Sequence, residues 1–204
     1  MENKIISIKK YQKNKKKELK MLLLIILFSL ISAILVWNFY VEKKSHLDIE
    51  IPQSQNIFYN NQKPIASTTA QISSEFEQSD SRPILLYLYT SWCGVCKKNF
   101  ATINEVAREF QNTELKVVSI AIDRDMTEEK LAQYLNSLGN FYFEPRFLAY
   151  KEGFVEFLAQ KDINYRGVIP FTALISRDGK VVMKYNGVKK LHYLRSKIIQ
   201  EMYK

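Results

Sequence analysis

The sequence predicts an α/β domain, a mixed central sheet with helices on both faces, behind a single N-terminal transmembrane helix. Three observations lead there. Residues 21–37 form a charge-free apolar run behind a lysine-rich tail. Ile84–Tyr89 and residues 116–123 are apolar runs separated by an amphipathic stretch of helical period. Residues 171–176 and 181–185 flank Asp178-Gly179, a hairpin signal. The strand–helix–strand order implies a right-handed parallel crossover, and the hairpin adds antiparallel strands, so the sheet is mixed.

The chain has 204 residues, two cysteines and a net charge of +9. That length suits one or two domains and excludes a disulfide-stapled miniprotein. A charged fraction of 25% and a hydrophobic fraction of 47% exclude wholesale disorder. Residues 1–20 hold eight lysines against Glu2 and Glu18. With most of the excess charge in this short tail, the basic balance does not imply nucleic-acid binding.

Residues 21–40 are the expected transmembrane anchor. At 1.5 Å per residue, 17 to 21 residues span roughly 25–30 Å, the thickness of a bilayer core. Trp37 and Tyr40 suit the interfacial aromatic belt. The lysine bias puts the basic tail, residues 1–20, in the cytoplasm and everything after residue 40 outside. No small-x-small site follows, which argues against a cleaved signal peptide. No cysteine follows either, so lipoprotein processing does not apply. The expected location is the cell inner membrane, single-pass, with the folded part periplasmic.

Residues 41–82 read as an extracytoplasmic tether, polar and punctuated by Pro52 and Pro64, without sustained periodicity and with room for one short strand or helix near its end. Ile57, Phe58 and Tyr59 are candidates to dock on the folded domain, residues 83–204. In that domain Ile84–Tyr89 suits a strand buried on both faces. Cys96, Phe100, Ile103, Ala107 and Phe110 then mark one face of a helix beginning near Cys93, with Lys97, Lys98 and Arg108 on the other. Residues 116–123 form the second strand. Asp125 and Glu128 make a capping pair for a helix carrying Leu131, Leu135 and Leu138. A short helix is expected over 148–161. The hairpin follows, and a last helix places Leu191, Leu194, Ile198 and Met202 together.

The only cysteines, Cys93 and Cys96, stand as C-x-x-C at a strand-to-helix turn. This spacing lets the sulfurs join across one helical turn. Cys93 sits at the helix start, where free N–H groups and the positive dipole end stabilise a thiolate. Cys96 lies one turn in, on the apolar face. Thiol–disulfide exchange needs such an asymmetry: Cys93 attacks to form a mixed disulfide and Cys96 resolves it.

Three segments carry a family resemblance. Trp92-Cys93-Gly94-Val95-Cys96-Lys97-Lys98 follows an apolar strand, Gly167-Val168-Ile169-Pro170-Phe171-Thr172 precedes another, and Asp178-Gly179-Lys180 opens the terminal hairpin toward Gly187. Residues 84–187 thereby resemble the thioredoxin superfamily, specifically its membrane-anchored, TlpA/ResA-like thiol:disulfide oxidoreductases. The resemblance implies a thioredoxin-like fold and a redox-active Cys93–Cys96 disulfide. It also implies a cis peptide bond at Pro170, with Trp92, Ile169 and Pro170 forming the client-binding surface. It implies no cofactor. The partners would be client protein thiols and disulfides, together with a membrane redox partner that recharges the pair. A reductant role, as in cytochrome c maturation, is the expected direction.

The chain departs from the family in places. Thioredoxin has a buried acid where Tyr87 stands, and ResA-like proteins often have Glu and Pro where Asn99 and Ala101 stand. Water, Lys97 or Glu144 are then the candidates to handle the Cys96 proton. Zinc would need further ligands, and the histidines, His46 and His192, lack ligand spacing. A copper-delivery protein of this fold would show C-x-x-x-C and a downstream histidine. A peroxiredoxin would need an isolated peroxidatic cysteine in its own motif. The remaining alternative is a non-catalytic docking module with a structural disulfide.

Overall fold

The computed structural model describes residues 20, 21, 27, 29–37, 57–77 and 82–203. Its contacts divide the chain into two units, residues 1–50 and residues 51–204. In the first unit, residues 29–37 are helical, with Ser32 Oγ donating to the Ser29 carbonyl at 2.8 Å. Among the described residues no helix is long and apolar enough to cross a membrane. The basic tail before Lys20, much of the anchor and residues 41–56 of the tether lie outside the described residues.

The second unit is built on one six-stranded sheet. Its elements are β1 (Ile65–Ser67), α1 (Thr69–Glu77), β2 (Ile84–Tyr89), α2 (Gly94–Phe110), β3 (Lys116–Ala121), α3 (Glu128–Ser137), β4 (Arg146–Leu148), α4 (Phe154–Gln160), β5 (Phe171–Ile175), β6 (Val181–Asn186) and α5 (Leu191–Met202). The strand order is β1-β4-β3-β2-β5-β6. The first four are mutually parallel, β5 runs antiparallel to β2, and β6 runs antiparallel to β5. This is the mixed sheet with helices on both faces that the sequence predicts.

Strand β2 is buried along its whole length, and its side chains alternate between two cores. Leu85, Tyr87 and Tyr89 pack with Cys96, Phe100, Ile103, Leu131, Leu194 and others from α2, α3 and α5. Ile84, Leu86 and Leu88 pack on the opposite side with Ile72 of α1 and Phe154, Phe157 and Leu158 of α4. The apolar run at 84–89 is continuous because both faces are covered.

Three expectations are corrected. The domain takes in residues 57–77, which the sequence reading assigned to the tether. Strand β1 pairs with β4 from Ile65↔Arg146 to Ser67↔Leu148, and Ile72 is fully buried. A three-residue edge strand carries too little periodicity to be seen in sequence, and a polar helix with one buried residue hides its partner face. Tyr59 packs against the core, and Phe58 meets Tyr142 with ring centroids 5.1 Å apart, as docking required. Residues 146–148 form strand β4, and the helix expected from 148 begins only at Phe154. The cap of α3 is Thr127, whose hydroxyl accepts the Lys130 N–H at 3.3 Å, in place of Asp125.

Candidate active site at the start of helix α2

Strand β2 delivers the chain to residues 90–93 at its carboxyl end, and α2 departs from there. Cys93 is the N-cap of α2, with extended backbone (φ −83°, ψ 108°). Its Sγ accepts the N–H of Cys96 at 3.1 Å. A sulfur in that position occupies the place of a capping oxygen, facing the free amides and the positive end of the helix dipole. Both features favour a thiolate on Cys93 when the pair is reduced. Cys93 is half-buried and Cys96 is 0% exposed. The two sulfurs are joined as a disulfide, with Cα atoms 5.1 Å apart.

The remaining site residues expected from sequence are Trp92, next to Cys93 in the chain, and Ile169 and Pro170, at the same end of the sheet. Trp92 is 75% exposed immediately before Cys93. The Ile169–Pro170 peptide bond is cis. Because β5 pairs antiparallel with β2, with Phe171 opposite Leu88, Ile169 and Pro170 lie at the end of the sheet from which α2 leaves. Ile169 is half-buried and packs against the same core that Cys93 and Cys96 join. Pro170 is buried, and its carbonyl accepts the Gly187 N–H at 2.8 Å, tying it to the end of β6.

Two residues that sequence reasoning did not single out hold the turn in place. Asp123, just past β3, accepts the Ser91 N–H at 3.1 Å and the Ser91 hydroxyl at 2.6 Å. The carboxylate thereby clamps the residue before Trp92. Its signal in sequence was an acid two residues beyond a buried parallel strand, where ligands and functional groups gather. A groove of about 620 Å³ opens beside this clamp, lined by Trp92, Asp123, Arg124, Met126, Lys130 and Tyr134 among others.

The polar groups behind Cys96 are tyrosines and amides. Tyr87 donates its hydroxyl to the Cys96 carbonyl at 3.1 Å. Burial drives its pKa well above the usual tyrosine value, with Tyr134 and Tyr185 adding to the rise and the nearby Asn99 amide opposing it. Tyr89 stacks on Tyr87 at 5.1 Å and 12°. Its pKa is also raised, first by complete burial and then by its charged and phenolic neighbours, including Asp123. Glu144, a candidate proton handler from sequence, is instead ion-paired with Arg146, which also binds Glu75. Lys97 is exposed on α2. Among the described residues, no group of three His, Cys, Asp or Glu side chains comes together to hold a metal.

The AhpC/TSA family matches this chain over residues 62–201. The chain belongs to that family. The match starts within three residues of β1, which agrees with the domain boundary set by the sheet. Similar proteins include the thiol:disulfide interchange protein DsbE of Yersinia pestis, 32% identical over 118 residues, covering 56% of this chain and 55% of that protein. Thioredoxin-1 of Drosophila melanogaster is 35% identical over 68 residues, covering 33% of this chain and 61% of its own length. The chain thus spans about half to three-fifths of these relatives' lengths. Among solved structures, a thiol:disulfide interchange protein of the thioredoxin family from Chlorobium tepidum superposes with a TM-score of 0.52. It is 14% identical, covering 62% of this chain and 83% of that one. At that identity the likeness establishes the thioredoxin-like fold alone.

Proposed function

We propose that this chain is a membrane-anchored thiol:disulfide oxidoreductase that reduces disulfides of extracytoplasmic proteins. The observation that carries the reading is the asymmetry of the pair: a half-buried Cys93 whose sulfur caps a helix, and a fully buried Cys96 one turn in. In the reduced enzyme the Cys93 thiolate attacks a client disulfide and expels one client sulfur as a thiolate. Cys96 then loses its proton and attacks Cys93 Sγ, the mixed disulfide breaks, and the second client sulfur leaves with the electron pair. The enzyme ends with the Cys93–Cys96 disulfide and the client with two thiols. Trp92 and Ile169 flank the incoming client chain, and Pro170, with no N–H of its own, leaves that approach open.

The anchor is residues 21–40, with the basic tail cytoplasmic and the catalytic domain periplasmic. A single C-x-x-C without a cofactor needs a membrane redox partner to return electrons to Cys93 and Cys96. Apocytochrome c in its maturation is a fitting client, because it must present free thiols outside the cytoplasm. The likeness to the thiol:disulfide interchange protein of Yersinia pestis supports the interchange chemistry.

The decisive experiment is trapping. Cys96→Ser should accumulate a mixed disulfide through Cys93, and Cys93→Ser should accumulate little. Equal trapping by both would overturn the assignment of roles, and trapping by neither would leave the disulfide structural. The direction of electron flow is read from the equilibrium reduction potential. A value of about −270 mV, as in thioredoxin, makes the pair a reductant. A value of about −120 mV, as in DsbA, makes it a disulfide donor and removes the cytochrome c reading. Retention of the chain in membranes after carbonate extraction tests the anchor, and release contradicts it.

A further inference from the structure

The side chains framing Cys93 decide which disulfides reach it, and the sheet fixes that frame. Strand β2 delivers the Cys93 turn, with β3 on one side of it and β5 on the other. Because β3 is parallel to β2 and β5 antiparallel, the loop after β3 and the loop before β5 both lie at the end of the sheet where the turn sits. Strand β6 ends there too, with the Gly187 N–H bonded to the Pro170 carbonyl.

Charge in this frame is one-sided. Residues 92–98 carry Lys97 and Lys98, residues 165–170 carry Arg166, and residues 187–190 carry Lys189 and Lys190. None of these three segments holds an acid, and all five cations are exposed. The loop after β3 reads Asp123-Arg124-Asp125. Asp123 is buried and turned onto Ser91, which leaves Asp125 as the exposed acid of that loop, beside Arg124.

The arginines sharpen the contrast. Away from the site, Arg108 pairs with Glu105, Arg146 with Glu75 and Glu144, Arg177 with Glu114, and Arg195 with Glu109. Arg82 is also engaged. Arg124 and Arg166 are exposed and have no carboxylate partner among the described residues. A guanidinium fork matches a carboxylate with two parallel N–H bonds, which makes an unpaired arginine beside a reactive sulfur a receptor for an acid. Arg124 lines the groove of about 620 Å³ that Trp92 also lines. Arg166 stands three residues before Ile169, on the other side of the Cys93 turn.

We propose that Arg124 and Arg166 select client disulfides flanked by acidic side chains, one arginine acting on each side of Cys93. This rests on the role of Cys93 as the attacking sulfur proposed above. Lys97 and Lys98 add to the attraction. Neighbouring strands lie about 4.8 Å apart, so β3 and β5 are roughly 10 Å apart, a span that an extended client covers in about three residues. The acids therefore belong within about three residues of the client cysteine, on both sides. The occupant is a peptide segment and not a lipid surface, because a bilayer laid across these cations would cover Cys93 and bar the client. Attraction between exposed charges is screened by salt and acts chiefly on encounter, so it shows in the rate of attack by Cys93.

Peptides of one sequence, with a cysteine joined to thionitrobenzoate and with Asp, Asn or Lys on both sides of it, test this against the reduced full chain in neutral detergent. Attack of the Cys93 thiolate on the peptide sulfur forms the mixed disulfide, breaks the bond to thionitrobenzoate and releases that thiolate, which is read by absorbance. Division by the rate of dithiothreitol with the same peptide removes the peptide's own reactivity. In dilute buffer the Asp peptide should react roughly tenfold faster than the Lys peptide. The ratio should fall toward one in about 1 M salt, where the screening length is about 3 Å. Arg124→Gln combined with Arg166→Gln should cut the ratio to about threefold or less in dilute buffer. Arg177→Gln combined with Lys180→Gln removes the same charge at the opposite end of the sheet and should keep the wild-type ratio. A wild-type ratio near one would overturn the proposal, and so would a ratio untouched by the Arg124 and Arg166 substitutions. An equal loss in the Arg177 and Lys180 variant would mark net charge alone and also overturn it. Arginine-dependent binding to phosphatidylserine vesicles, together with a ratio near one, would make the face a lipid surface and overturn it as well. Release at equal rates from all three peptides would refute the selectivity and leave the role of Cys93 standing. No release from any peptide would refute the role of Cys93, and the proposal would fall with it.

Discussion

The two faces of the sheet are built on different terms. On one, Ile84, Leu86 and Leu88 of β2 meet Ile72, Phe154, Phe157 and Leu158, and burial is almost purely apolar. On the other, Leu85, Tyr87 and Tyr89 meet α2 and α3, and unpartnered polar atoms of Tyr89, Asn99, Ser119, Tyr134 and Thr172 are buried among them. The same strand supplies both faces, so propensity does not separate them. The face that stores unpartnered polar groups is the face that holds Cys96. A fold that places such groups consistently beneath one reactive pair has accepted a stability cost at its functional site and recovered it opposite.

Breaking the apolar face gives the largest expected effect on stability. Leu86→Ala deletes a fully buried side chain and should cost roughly 2–5 kcal/mol in urea denaturation. Molecules that remain folded should react with iodoacetamide at Cys93 at the wild-type rate. A strong change in Cys93 reactivity would show that the two faces are coupled. The opposite face should respond with the opposite sign. Asn99→Leu replaces two unpartnered amide atoms with an apolar side chain of similar size. It should stabilise the chain by about 1 kcal/mol or more. Destabilisation by Asn99→Leu would mean that the amide is partnered in solution, and the contrast between the faces would shrink.

Much of this arrangement was legible in sequence, and the limits are physical. The strand at 84–89, the amphipathic helix after Cys93 and the hairpin at Asp178-Gly179 follow from periodicity and turn chemistry, and the cis bond before Pro170 was implied by the family resemblance. The buried asymmetry of Cys93 and Cys96 followed from helix period alone. Strand β4 and strand β1 did not, because three residues give no period and their pairing is a long-range event. Tyr87 and Asn99 were visible only as absences of an expected acid. The place of Tyr87 depends on register, since only strand pairing sets it between Ser119 and Thr172. Asp123 likewise gains its role from meeting Ser91, 32 positions away in sequence.

Alkaline pH sharpens the comparison by a smaller amount. Burial raises the Tyr185 pKa from 10.0 to about 12, with Tyr193 adding and Thr172 opposing. Below pH 10 the phenol is neutral in both folded and unfolded chains, and its contribution is fully present. Between pH 10 and about 12 the unfolded chain loses this proton while the folded chain holds it, so stability falls through that window. Tyr185→Phe should flatten the fall, as followed by tryptophan fluorescence against pH. Tyr165 on the other face is also raised by burial, and Tyr165→Phe tests whether the alkaline loss belongs to one face or to both. A fall left unchanged by Tyr185→Phe and abolished by Tyr165→Phe would reverse the assignment.

The smallest effect lies off both faces, in the hairpin between β5 and β6. Asp178 accepts hydrogen bonds from Lys180, with Nζ 2.6 Å from the carboxylate, and from the Ser176 hydroxyl. These hold its pKa down from 3.8 to about 2, the Lys180 bond contributing most. A depressed carboxylate stabilises the fold above its unfolded pKa, so the contribution is present above pH 3.8 and is lost as pH falls toward 2. The group is fully exposed, where solvent screens most of the interaction. Asp178→Asn should therefore leave neutral stability nearly unchanged and shift acid unfolding only slightly. The loop keeps its shape through Gly179, whose φ of +77° suits glycine, and through the Ser176 N–H bond to the Lys180 carbonyl at 2.8 Å. A carboxyl titration followed by NMR reads the pKa directly. A value near 3.8 would show the ion pair to be open in solution, and the hairpin would then rest on backbone geometry alone.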